Sequence, residues 1–175
     1  MKRLPRVLPV FAVVLGLSTL AFAQGNPRGN AKITLNGQSV SVDYGRPSLK
    51  GRTVQHLLSQ LKPGQFWRLG ADQSTTFTTS ADLNFGETRV PKGVYSLWAQ
   101  RQADNSWKLV FNTQHGQWGT KHDPSKDLVF VPLKEEKDSK TAQMVTITLG
   151  KENGGSEISI NWGNMELSAN FNVAS

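Results

Sequence analysis

Apolar and polar residues alternate along most of this chain with the period of two that a half-buried strand requires. Residues 31–36 and 39–44 alternate on either side of Asn36-Gly37. That pair suits a type I′ turn, because both central residues need positive φ. A hairpin is predicted there, with Ile33, Leu35, Val40 and Val42 turned to the core. Residues 75–80 are β-branched and strand-like, and residues 83–90 form a weaker strand bent at Gly86. Pro91-Lys92-Gly93 is a turn, since Pro presets φ and Gly supplies a positive one. The strongest strand signals follow at 94–101 and 107–112, where Trp107, Leu109 and Phe111 share a face. Residues 126–133 read as a central apolar strand, and the mixed charges of 134–140 as a solvated turn. Three more strands are expected at 143–149, 157–162 and 166–173, with Gly163-Asn164 as a turn between the last two.

Only residues 53–61 have a helical period, with Val54, Leu57, Leu58 and Leu61 on one face and Pro63-Gly64 ending the segment. Among strands, such a short helix is expected to plug one end of a sheet. Nine or ten short strands separated by turn chemistry predict an all-β fold, an antiparallel β-sandwich or flattened barrel. No internal repeat divides it. A single domain is expected over residues 31–175, preceded by a loose lead-in over 24–30.

The first 23 residues have a different pattern. Lys2, Arg3 and Arg6 form a basic head, an apolar run follows, and Ala21-Phe22-Ala23 places small residues where a signal peptidase reads them. The run is short for a membrane span, which needs about 20 apolar residues. Cleavage before Gln24 and a periplasmic or secreted destination are expected, with no membrane span left after cleavage. Cysteine is absent, so the mature chain has no thiol for a lipid and no disulfide, and must be held by core burial. Without the leader's three basic residues, 17 basic and 13 acidic residues leave a net charge of +4. That mild excess lacks the concentrated basic stripe of a nucleic-acid-binding protein.

Candidate chemistry lies in the irregular segments. The loop from Gly45 to Arg52 resembles a phosphate-binding loop only superficially. Five residues separate its glycines instead of four, and Arg52-Thr53 replaces Lys-Ser/Thr. Residues 113–125 form the longest stretch without an apolar period, and such a loop on a β scaffold is where function tends to sit. His115, His122, Asp123 and Asp127 could supply metal ligands there, but the six-residue gap between the histidines matches no familiar zinc spacing. No metal or other cofactor is expected. No Gly-x-Ser-x-Gly elbow is present, and nothing brings Asp72 and Asp127 together as a glycosidase pair.

Arg46, Arg52 and Arg68 sit in turns beside Tyr44 and Trp67. A guanidinium beside an aromatic ring can grip a carboxylate, phosphate or sugar. It can equally tie loops by bonding buried carbonyls or an acid such as Asp72, and Arg68 is expected to hold its own turn in this way. Of the five tryptophans, Trp107 and Trp162 fall in phase with the core. A sugar platform would need two of Trp67, Trp98 and Trp118 exposed and coplanar.

The order of Tyr44-Gly45-Arg46-Pro47, Lys50-Gly51-Arg52, Trp67-Arg68-x-Gly70-Ala71, Gly93-x-Tyr95-Ser96-Leu97, Phe111-Asn112 and Trp118-Gly119, with Asp127 downstream, resembles the bacterial secreted proteins grouped as domain of unknown function 2911. The resemblance covers nearly the whole mature chain and implies an exported, β-rich domain without an established activity. The chain departs from that pattern at Asp72, His122 and Phe130, where Asn, Tyr and Arg are usual. The expected function is ligand binding, of a carbohydrate or another cell-envelope component. The expected surface comprises Tyr44, Arg46, Arg52, Trp67, Arg68, Asp72, Tyr95 and Trp118. The alternatives are a hydrolase or metal-dependent enzyme using the 113–127 loop, and a purely structural envelope protein.

Overall fold

The computed structural model describes residues 25–175 apart from Asn153; the leader expected over residues 1–23 lies outside them. The first hairpin forms as expected. β1 (Arg28–Leu35) and β2 (Gln38–Gly45) pair antiparallel about Asn36 and Gly37, whose φ values of 50° and 80° are those of a type I′ turn. The lead-in is corrected. Residues 28–30 belong to β1, Pro27 accepts a bond from the Arg46 amide (2.7 Å), and Asn26 is bonded to Asp72. An Asn- and Gly-rich segment looks loose by composition, but here its backbone groups have partners.

α1 (Val54–Leu58) is shorter than its apolar period, with Thr53 capping its N-terminus through the His56 amide. The short β3 (Phe66–Trp67) follows, then β4 (Thr76–Thr79), β5 (Leu83–Phe85) and β6 (Thr88–Val90), the last two folded about Gly86. β7 (Gly93–Arg101) and β8 (Trp107–Asn112) pair as predicted.

Two strands are far longer than expected. β9 (Asp127–Glu152) runs straight through the charge cluster, and β10 (Gly155–Val173) runs through Gly163-Asn164. The 134–140 cluster is therefore strand and not turn. Residues 134–137 pair with residues 165–168 of β10, and most side chains of the cluster reach water on both faces. Gly163, at φ 62°, makes an irregularity in the ladder and not a reversal.

The strand order is β1-β2-β4-β7-β8-β9-β10-β5-β6, with β3 on β7. This one antiparallel sheet is not closed into a barrel, so the flattened-barrel alternative falls. It bends along β9 and β10 until its two halves enclose one core. Phe85 of β5 meets both Phe111 of β8 and Phe171 of β10 at ring-centroid distances of 5.4 and 5.1 Å. The Tyr44 hydroxyl of β2 donates to the Ile147 carbonyl of β9 (3.1 Å). Among the described residues, no helix is long and apolar enough to cross a membrane.

Candidate functional site

The site begins with the turn after β3. Leu69 and Asp72 both take left-handed backbone, at φ 52° and 61°, around Gly70-Ala71. The end of β2 lies directly against this turn. A Cβ on Gly45 would overlap the Ala71 carbonyl, and one on Gly70 would stand 3.0 Å from the Gly45 oxygen and 2.8 Å from Thr75 Oγ1. The Thr75 hydroxyl donates to the Leu69 carbonyl (3.2 Å). The turn in turn draws in the 117–119 loop: Ser74 N–H donates to Gln117 O (2.9 Å) and Gly119 N–H to Asp72 O (2.7 Å).

These contacts put Arg68 against Gly119, where a Cβ would stand 3.2 Å from Arg68 Cδ and 3.7 Å from Nη1. The expected tie between Arg68 and its own turn is not made. The Asp72 carboxylate accepts instead from the Asn26 backbone N–H (2.8 Å) and side-chain amide (3.3 Å). Arg68 is partly buried, and among the described residues its guanidinium has no hydrogen-bond or ion-pair partner.

Arg68 lines a cleft of about 510 Å³. Its other charged or hydroxyl side chains are Arg52, Ser48 and Thr120, and among the described residues no carboxylate lines it. Arg52 uses Nε on the Leu49 carbonyl (3.0 Å), and among the described residues its terminal nitrogens have no protein partner. The apolar wall comes from Leu57, Leu58 and Leu61 with Phe66, and from Trp67 and Trp162. These two indoles stack at 5.6 Å and 13°, and Trp67 also meets Trp107 edge-on at 6.3 Å.

Of the eight expected ligand residues, only Arg52, Trp67 and Arg68 line the cleft. Arg46 is a structural tie, donating from Nε to Val145 O (3.1 Å) and from Nη2 to Thr146 Oγ1 (3.2 Å). Tyr44 and Tyr95 are buried. Tyr95 donates to Pro91 O (2.7 Å), and burial pushes its phenol above the ordinary value. Asp72 holds Asn26, and Trp118, 52 % exposed, forms an isolated bridge with Gln73 outside the lining. The sugar platform is not formed, because Trp67 and Trp98 are only 7 % and 3 % exposed. The pattern missed the leucines as cleft residues, although their helical spacing had singled them out. Trp162, expected in the core, is buried there and also lines the cleft.

The 113–127 loop contains a separate cluster. His122 Nε2 and Asp127 Oδ1 lie 2.8 Å apart, and Asn112 Nδ2 donates to the same oxygen (2.7 Å) and to Asp123 O (2.8 Å). The His122 ring lies against Phe66 and Trp98, with centroids at 4.1 and 4.6 Å. Asp123 turns its carboxylate to the Ser125 hydroxyl (2.7 Å) and amide (3.0 Å), and these bonds hold it below the ordinary carboxylate range. His115 is exposed, and among the described residues no three His, Cys, Asp or Glu side chains gather as a metal site. The bonds of this cluster fasten the loop to β8.

Fold and site together define an open, all-β, single-sheet domain carrying one arginine- and indole-lined cleft. Over residues 26–171, from the Asn26 that binds Asp72 to the last core phenylalanine, the chain matches the family described as protein of unknown function (DUF2911), and it belongs to that family. No curated protein and no solved structure matches it.

Proposed function

We propose that the mature chain is an exported binding domain, released from its leader after Ala23, which receives a small cell-envelope component in the Arg52–Arg68 cleft. The observation that carries this reading is Arg68, a partly buried residue whose stem packs against Gly119 and whose guanidinium has no protein partner among the described residues. A fully buried charge is normally paired, and Arg68 is only partly buried, with its fork open to a partner from solution. An arginine that neither holds its turn nor reaches open water fully is suited to a ligand's polar group. The cleft volume, about 510 Å³, falls within the roughly 300–1,000 Å³ of small-molecule sites. The reading is binding without chemistry, because the His122–Asp127–Asn112 bonds are engaged in fastening a loop.

The test is a titration of ¹⁵N-labelled protein (residues 24–175) followed by indole N–H resonances. The probes are a neutral glucan oligosaccharide, a muramyl dipeptide, glucuronate and octanoate. At least one probe is expected to move Trp67 and Trp162 saturably while exposed Trp118 stays in place. If every probe leaves Trp67 and Trp162 unmoved, or moves Trp118 alone, the cleft is not the binding surface. Export is tested separately, by N-terminal sequencing of protein from the native host, where Gln24 is expected first and Met1 would overturn it.

A further inference from the structure

We infer that the cleft selects an amphipathic anion, one carboxylate or phosphate carried on an apolar body; this rests on the binding reading above and names its ligand class. The charge argument comes from the lining. Two arginines, exposed Arg52 and partly buried Arg68, line the cleft; among the described residues no Asp or Glu does, and neither arginine has an acidic partner. Arg68 offers its whole fork, and Arg52 its terminal nitrogens beyond the Leu49 bond. A guanidinium with free parallel N–H groups matches the planar or tetrahedral oxygens of a carboxylate or phosphate.

The body of the ligand is decided by the remaining wall. Leu57, Leu61 and Phe66 are half-buried and in contact with the cleft, beside buried Leu58. Besides the arginines, the polar side-chain atoms of the lining are the hydroxyls of Ser48 and Thr120 and the indole N–H groups of Trp67 and Trp162. Of these, Trp162 Nε1 is buried and unpartnered among the described residues; none lies on the leucine side chains. A sugar carries hydroxyl groups around its ring, and those facing the leucines would lose water without gaining a partner, which burial of a polar group penalises. Nor can it stack flat between the indoles, because Trp67 and Trp162 already stack on one another and Trp107 meets Trp67 edge-on. An alkyl or aromatic body covers the same wall without that cost.

Four probes separate head group from body, all used below their micelle-forming concentrations on the 24–175 chain. They are octanoate, octyl phosphate, octyltrimethylammonium and glucuronate, read by the indole resonances of Trp67 and Trp162. Octanoate and octyl phosphate are expected to bind saturably, and whichever is tighter distinguishes a fatty carboxylate from a lipid-type phosphate. Octyltrimethylammonium should fail on charge and glucuronate on its polar body. Arg68→Gln is expected to weaken octanoate roughly ten- to a hundredfold with little change in melting temperature. Arg52→Gln should weaken it less, since part of its fork is already bonded, and it carries the test if Arg68→Gln does not fold. Equal binding of the cationic amphiphile would overturn the anion assignment, and glucuronate as tight as octanoate would overturn the apolar body. If a neutral glucan or muramyl dipeptide moves the same indoles while both octyl anions do not, the amphiphile inference fails and the binding reading stands. Silence of both indoles to every probe overturns both.

Discussion

At the scale of single residues, the site depends on places where a side chain would not fit. Gly45 and Gly70 let the end of β2 and the 69–72 turn approach backbone to backbone. The nearby Arg46 and Arg68, which look equivalent in the sequence, have opposite roles. Arg46 bonds β9 at residues 145 and 146, about a hundred positions away, whereas the Arg68 guanidinium has no partner among the described residues. The motif types were legible, but the carbonyl within reach of each guanidinium was not, since strand pairing decides it. Gly45→Ala is therefore expected to cost about 1–3 kcal/mol or more by overpacking against the Ala71 carbonyl. Arg68→Ala should cost under about 1 kcal/mol, losing only the packing of its stem over Gly119. Urea melts of the two variants check the contrast, and a larger midpoint shift for Arg68→Ala would restore it as a structural tie.

At the scale of elements, local pattern located strands well and their ends poorly. The 134–140 charges and Gly163-Asn164 carry turn composition, yet both lie inside strands because β9 and β10 pair with each other along most of their length. That pairing is non-local and leaves no period-two alternation where both faces are wet. The 113–127 loop, by contrast, was rightly placed as irregular, but its polar residues proved to hold it down. Asn112 is fully buried and bonds Asp127, Asp123 and Gln114. Asn112→Ala is expected to cost about 1.5–3 kcal/mol by removing a bond to a buried carboxylate, and hydrogen exchange should accelerate in the loop. Unchanged exchange there would count against the clasp. Acid should loosen the same loop from its other end. The folded Asp123 carboxyl lies below its ordinary 3.8 because of Ser125. Its contribution is thus complete above that value and lost as pH falls through the lower folded one. Exchange in residues 123–126 is expected to rise only below about pH 4, and Ser125→Ala, which lets the folded carboxyl return toward its ordinary value, should shrink that acid-induced rise. A rise of the same size in the variant would show that another group controls it.

At the scale of the whole molecule, the sheet does not close, and the cleft relies on contacts between its first and middle segments. The alternation of 31–44 predicted the hairpin but gave no reason to extend β1 backwards, since Gly, Asn and Pro carry no strand signal. Tertiary pairing overrides that composition. Residues 28–30 pair with 43–45, Pro27 accepts from Arg46, and Asn26 holds the Asp72 carboxylate. The Tyr44 ring lies so close over Gly29 that a Cβ there would stand 2.7 Å from its Cζ. Cleavage after Ala23 would leave all of these contacts intact. A mature chain starting at Ala31 would lose them together, including a charge-assisted bond, and is expected to be less stable by about 3 kcal/mol or more, against the roughly 5–15 kcal/mol of a typical domain. The loss should pass through Asp72, which allows a double-mutant cycle. Asp72→Ala should destabilise the chain starting at Gln24 by about 1.5–3 kcal/mol and add almost nothing in the chain starting at Ala31. Denaturant melts of the four proteins measure both terms. If the short chain melts like the long one, or if Asp72→Ala costs the same in each, then the N-terminal segment does not hold the turn that positions Arg68.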